Sequence, residues 1–122
     1  MPTTTEPLAR GEYVLTEGNG EISRAVATLI TGQNLVAGTV LGVITASGKL
    51  TRCAHAAADG SQNAAGILFG DTNATAADVT GVVYTARLSE VRSAQILFSA
   101  GASGGNILTQ TAALLALNIV LR

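Results

Sequence analysis

Apolar and polar residues alternate in short stretches between residues 12 and 98, and turn-forming residues separate these stretches. The pattern predicts short β-strands, because successive side chains of a strand point to opposite faces of a sheet. The stretch GILF at 66–69 is apolar throughout, which predicts a strand at the centre of a sheet. The predicted strands lie at 13–15, 24–30, 40–45, 49–53, 66–69, 80–88 and 96–98.

Glycine, asparagine and serine define the connections between the predicted strands. We expect turns at 18–20, 32–34 and 47–48, because these residues tolerate the backbone angles of tight turns. The polar segments 55–61 and 71–78 are expected to be loops. Gly42 lies inside the predicted strand at 40–45, which indicates a bulge or the close approach of another backbone segment.

The C-terminal part of the chain has a different period. Leu108, Ala112 and Leu115 recur at helical spacing and predict a helix over 107–116. The sequence therefore predicts a mainly β fold with one short C-terminal helix.

Two asparagines are placed to bound this helix. Asn106 can cap its start with a side-chain oxygen, after a glycine-rich loop at 101–105. Asn118 can adopt the left-handed conformation that ends a helix, and a short strand is expected at 119–121.

The first eleven residues, MPTTTEPLARG, contain three threonines and two prolines and have no apolar period. We expect them to form a mobile or extended arm, and 12–122 to form a single β-rich domain. Threonine and proline favour an extended backbone, so the arm could pair with the edge of a partner's sheet. A tail without a role remains the alternative.

Composition suggests that part of the surface contacts another protein. Only 12% of the 122 residues are charged, against about 25% in an average soluble domain, and the mean hydropathy is +0.41. A small domain needs charges on its large surface, so their shortage favours an assembly. A neutral surface rich in alanine, threonine and glycine is the alternative.

Charge and hydropathy also argue against nucleic acid and membranes as partners. The six arginines and one lysine are scattered, the net charge is −1, and no basic stripe for nucleic acid is present. No apolar run approaches the roughly 20 residues that span a bilayer, and no secretory signal is apparent. A single cysteine cannot form an intramolecular disulfide, so synthesis in a reducing cytosol is expected.

Candidate catalytic and metal-binding residues are few. Cys53 and His55 would share one face of a strand, but the chain has no second cysteine or histidine to complete a zinc site. The glycine-rich segment at 101–105 lacks the Lys-Ser/Thr end of a phosphate-binding loop. Asp59, Asp71 and Asp78 do not have calcium-loop spacing. We therefore expect no enzyme activity, no cofactor and no metal.

Lys49 is the only lysine and lies in the stretch GTVLGVITASGKL at 38–50. The "G-x-x-L" rhythm of this stretch resembles biotinyl and lipoyl carrier domains, which attach a cofactor to a hairpin lysine. The methionine or acidic neighbours of that lysine and the two-fold repeat of such domains are missing here. A carrier domain is therefore a lesser alternative.

The order and spacing of many short segments between Glu12 and Arg122 together resemble the lambda-type phage head decoration proteins. One departure is Asn118, where glycine would be expected, although asparagine can meet the same backbone need. The segments are GEYVLTE at 11–17, Asn19-Gly20, Ser23-Arg24, Gly32-Gln33, AGTVLG at 37–42, Gly48-Lys49-Leu50, Asp59-Gly60-Ser61, AGIL at 65–68 and ALNIVLR at 116–122.

The resemblance implies a small domain of the β-tulip type and a homotrimer at threefold and quasi-threefold positions of an expanded capsid. It also implies an N-terminal arm that pairs with the major capsid protein on the outer surface of the virion. Another structural β module of the virion, such as a tail or fibre adaptor, is the alternative. The expected capsid-binding residues are Thr3, Thr4, Thr5, Glu6, Pro7, Leu8, Glu12, Tyr13, Val14 and Leu15.

Overall fold

The computed structural model describes residues 11–18, 22–99 and 101–122. Within them the chain forms ten strands, one 3-10 turn and one α-helix near the C-terminus, which confirms the predicted fold class. The strands are β1 (Val14–Glu17), β2 (Arg24–Leu29), β3 (Gln33–Leu35), β4 (Val40–Val43), β5 (Leu50–Arg52), β6 (Gly66–Leu68), β7 (Thr72–Ala74), β8 (Val79–Thr85), β9 (Ser89–Val91) and β10 (Ile119–Leu121). The 3-10 turn is Ser93–Gln95, and the helix α1 is Gly104–Ala116.

Five strands close into a small barrel in the order β2-β5-β4-β6-β8. The predicted hairpin at 40–53 is present, because β4 and β5 pair antiparallel around a turn in which Gly48 has a φ of 71°. β6 lies between β4 and β8, as its apolar sequence predicts. Strand β8 bulges where it pairs with β2, and Gly81 supplies the positive φ of 69° there.

Two smaller sheets flank the barrel. β9 pairs antiparallel with β1 and parallel with β10, so the N-terminal and C-terminal strands of the described chain lie on either side of it. β3 pairs antiparallel with β7. The three-stranded sheet β1-β9-β10 thus has β1 at one edge.

The buried side chains form two apolar clusters. One lies inside the barrel and is built from Leu29, Leu41, Leu50 and Leu68 with their neighbours. The other joins the three-stranded sheet, the barrel and the helix, and its members are Tyr13, Val40, Cys53, Ala64, Ile67, Val91, Ile96, Leu114 and Ile119. The core therefore depends on aliphatic residues, as expected for a chain with so few aromatic ones.

Gly42 is required by close packing. A Cβ atom at this position would collide with the backbone of Ser61, which crosses directly over β4. The close approach expected from a glycine inside this strand is therefore confirmed.

The helix begins three residues earlier than the sequence pattern indicates. Ser103 is the N-cap, and its hydroxyl accepts a hydrogen bond from the Asn106 N–H at 3.3 Å. The Asn106 side-chain oxygen in turn accepts a hydrogen bond from the Ser103 N–H. Asn106 therefore completes a capping box and is not itself the N-cap. Asn118 has a φ of 63°, which confirms the left-handed helix end.

Several connections predicted from the sequence are wrong. Gln33 and Asn34 belong to β3, and the turn lies at Thr31 and Gly32 instead. The predicted loop at 71–78 contains β7, which gains its strand conformation by pairing with β3.

The segment after β8 also differs from its prediction. The predicted strand at 96–98 makes only an isolated bridge between Leu97 and Thr39, while β9 was not predicted. β9 is only three residues long and polar at two of them, so it has no sequence period of its own to detect.

Among the described residues, no helix has the length and apolar character needed to cross a bilayer.

Candidate interaction surface

Gly11 is the first described residue, and its backbone is held by two hydrogen bonds. The Gly11 N–H donates to the Phe69 carbonyl at 2.8 Å, and its carbonyl accepts from the Val14 N–H at 3.0 Å. Its φ is 67°, and the ring of Phe69 occupies the place that a Cβ would need. Only glycine meets both conditions, so the point where the chain enters the domain has a defined backbone conformation.

Tyr13 anchors this entry point in the core. Its side chain is fully buried, and its hydroxyl donates to the Ile67 carbonyl at 3.1 Å. The Thr85 Oγ1 lies 2.7 Å from the same hydroxyl. Burial raises the pKa of Tyr13 above its ordinary range, so the phenol is neutral. Its side chain is therefore enclosed by the domain itself.

An ion pair supports Phe69 from the other side. The Arg24 guanidinium makes two bonds to Glu17, at 2.6 Å from Nη2 and 3.3 Å from Nε. The same guanidinium stacks 4.3 Å above the centroid of the Phe69 ring. Cation–π and bidentate contacts of this kind restrain the ring against which Gly11 packs.

Strand β1 follows the arm and is the edge of its sheet. Among the described strands it pairs only with β9, so no other described strand lies along its second side. The pairing shifts between Val14 and Thr16, and the intervening Leu15 is 40% exposed. An edge strand with an exposed leucine can accept a further strand from a partner.

The expected capsid-binding residues fall into three environments. Thr3, Thr4, Thr5, Glu6, Pro7 and Leu8 lie outside the described residues. Glu12 and Leu15 are exposed and Val14 is half-buried, so these can take part in a surface. Tyr13 belongs to the core, so its side chain is not available to such a surface.

Cys53 and His55 do not form a reactive pair. The Cys53 thiol is buried, lies 3.6 Å from the Gln62 carbonyl, and has its pKa raised to about 11 by burial. His55 Nδ1 instead contacts the Ser99 hydroxyl at 2.8 Å, and Ser99 is further bound by Gln110. In the described part of the chain no three His, Cys, Asp or Glu residues are grouped to hold a metal ion.

Lys49 is engaged in an ion pair. Its Nζ lies 2.5 Å from Asp78 Oδ2, and the other carboxylate oxygen accepts from the Thr31 N–H at 2.7 Å. The hydrogen bond from Lys49, then that from Thr31, lowers the pKa of Asp78. Lys49 thus ties the β4–β5 hairpin to the segment before β8, and it lies after the turn instead of at its tip.

Sequence periodicity located the helix, but it did not indicate which side of the helix is buried. Leu108, Ala112 and Leu115, the residues that indicated a helix, lie on its exposed side, with Leu108 71% and Leu115 57% exposed. The buried side is formed by Gln110 and Leu114. The sequence does show that residues 93 to 121 carry no charge, so the outer side of the helix is uncharged.

The described residues thus form a small β domain with an edge strand, β1, and a helix whose exposed side carries no charge. The family model for Bacteriophage lambda head decoration protein D matches residues 3–119, and the chain belongs to this family. The protein is thus related to structural components of the phage head. A comparison with curated proteins gave no match.

Proposed function

We propose that this protein decorates the expanded phage head, binding as a homotrimer at threefold and quasi-threefold positions and stabilising the shell against genome pressure. The observation that carries the proposal is the family match over 3–119, which spans nearly the whole chain. The partners are the major capsid protein and further copies of this chain. The protein is made in the host cytoplasm and acts on the outer surface of the virion.

The proposed arm contact uses residues 1–11 and the edge of β1. An extended segment that pairs with the shell protein gains main-chain hydrogen bonds, which offset the entropy lost when the segment becomes ordered. The pairing at the arm's base would involve Glu12, Val14 and Leu15. The buried side chain of Tyr13 would fix the base of the arm in the domain core, so that a pull on the arm acts on the core.

The proposed subunit contact uses the outer side of α1. Leu108 and Leu115 are the most suitable residues, since both are largely exposed and no charged residue lies between 93 and 121. Burial of an uncharged surface costs no desolvation of charge and removes apolar area from water. Several modest contacts of one trimer then add up through avidity.

The direct test adds the purified protein to bare expanded shells and images them. Density at threefold and quasi-threefold positions is the expected result. Density elsewhere, or none, would contradict the proposed role. A variant lacking residues 2–11 tests the arm separately: its occupancy should fall, and unchanged occupancy would remove the arm from the mechanism.

A further inference from the structure

A groove beside strand β5 carries positive charge and no negative charge. Its volume is about 330 Å³, and no aspartate or glutamate lines it. The polar residues that line the groove include Gln33, Thr51, Arg52 and His55. The groove is thus locally positive, although the chain as a whole has a net charge of −1.

Arg52 is a half-buried cation without a carboxylate partner. Its Nη2 donates to the Phe98 carbonyl at 2.8 Å, which fixes the guanidinium, while its Nε is buried and has no hydrogen-bond partner. It forms no ion pair with the carboxylates of the described residues. Arg24, the other half-buried arginine among the described residues, has a bidentate pair with Glu17. An unpaired, partly desolvated charge is costly, and an incoming anion would reduce that cost.

His55 is oriented by a hydrogen-bonded chain that begins on the helix. Gln110 Nε2 donates to Ser99 Oγ at 2.8 Å, and the same hydroxyl lies 2.8 Å from His55 Nδ1. In the tautomer in which Ser99 donates to Nδ1, the ring proton is on Nε2. In that tautomer His55 offers a second donor beside Arg52.

The described carboxylates of a second copy are less suited to supply the anion than carboxylates of the shell protein. Each carboxylate side chain there already has an interaction within its own subunit, and the terminal oxygen of Arg122 accepts from the Ser93 N–H and hydroxyl. The engaged side chains are Glu12, Glu17, Asp59, Asp71, Asp78 and Glu90.

The geometry points to this groove as a binding site for an aspartate or glutamate side chain of the shell protein, held by Arg52 and His55. The assignment rests on the proposed decoration function. It adds a second contact, separate from the arm, in which a charge-assisted hydrogen bond fixes the orientation of the domain on the shell.

Binding to bare expanded shells tests the assignment. Arg52→Gln should weaken binding by about 10- to 100-fold, because a charge-assisted hydrogen bond is lost. Arg92→Gln removes the same charge from an exposed position and should change binding by less than about twofold. Equal affinity of the two variants would overturn the assignment. Failure of the unmodified protein to bind would instead overturn the proposed function, and the assignment with it.

A covalent experiment identifies the source of the anion and does not depend on the fold of Arg52→Gln. Arg52→Lys keeps the charge and introduces an amine, which a carbodiimide couples to a contacting carboxylate with loss of water. Mass spectrometry of decorated shells should find the coupled peptide in the shell protein. A coupled peptide from a second copy of this chain, or no coupling at residue 52, would overturn the assignment.

Discussion

The Tyr13 hydroxyl lies 2.7 Å from Thr85 Oγ1 and joins the entry to β1 with the barrel strand β8. The Tyr13 proton is donated to the Ile67 carbonyl, so Thr85 is the donor in this pair. Three segments far apart in sequence thus meet at one buried phenol. The placement of the segment that leads into β1 depends on this contact.

Tyr13→Phe is expected to lower the free energy of unfolding by about 1–3 kcal/mol, because it leaves the Ile67 carbonyl and the Thr85 hydroxyl without their partner. Chemical denaturation measures the loss. Tyr84→Phe removes a hydroxyl from a half-buried tyrosine and should stay within about 0.5 kcal/mol of the unmodified protein. Equal effects of the two changes would contradict the anchoring role of Tyr13.

Neighbouring leucines of α1 should respond differently to truncation. Leu114→Ala creates a cavity in the core and should cost about 2–5 kcal/mol. Leu115→Ala shortens a side chain that is 57% exposed and should cost no more than about 0.5 kcal/mol in the free protein. Thermal unfolding of both variants measures the two losses of stability. Similar losses would refute the assignment of the buried and exposed sides of the helix.

Gly42→Ala should destabilise the domain by about 1–3 kcal/mol, since the new methyl group would collide with the Ser61 backbone. Gly104→Ala is the matched control: no atom lies within 4 Å of its added Cβ, and alanine favours the helix by up to about 1 kcal/mol. Denaturant titrations compare them. If Gly42→Ala left the stability unchanged, the backbone at Ser61 would be able to move away from β4.

The Asp78 carboxylate should make stability depend on pH in acid. Its folded-state pKa is lowered, so its contribution is present above the ordinary value of 3.8 and is lost as the pH falls toward the lower folded value. The difference in stability between the unmodified protein and Asp78→Asn should shrink over that interval. Lys49→Met removes the main cause of the shift and should flatten the pH dependence that Asp78 contributes. A difference that does not vary with pH would contradict the pairing.

Cys53 should react slowly with iodoacetamide in the folded protein. Its pKa of about 11, against an ordinary 9.0, reduces the thiolate fraction at neutral pH by about 100-fold, and burial blocks access further. Mass spectrometry of timed samples gives the rate. A Cys53→Ala variant that also carries Ala54→Cys has its thiol at an exposed position and should react much faster. Comparable rates would contradict the burial of Cys53.

The strands of the barrel could be predicted because each has a local signal. Alternation marks β2 and β8, the turn at Ser47-Gly48 marks the β4–β5 hairpin, and an apolar run marks β6. β3, β7 and β9 have three residues each and few apolar ones. They become strands because a partner supplies hydrogen bonds, and no local sequence pattern reports the presence of a partner.

The candidate site was predictable only in part. The β character of the residues after Glu12 could be read from the YVL stretch, whereas the arm expected from MPTTTEPLARG stays a prediction. That Tyr13 is enclosed, and that Leu15 is exposed beside it, depends on where β9 and the barrel lie. The groove at Arg52 and His55 was missed, since its residues interact with Phe98 and Ser99, more than 40 positions away.

The sequence by itself determined the fold class, the single helix with its left-handed end at Asn118, and the shortage of charge that favours assembly. Tertiary structure alone decided which side of the helix is buried. Leu108 and Leu115 repeat at the same helical spacing as Ile107 and Leu114, so either stripe satisfies the period. Packing of Leu114 against Tyr13 and the other core residues selects one stripe, and the other stays on the surface.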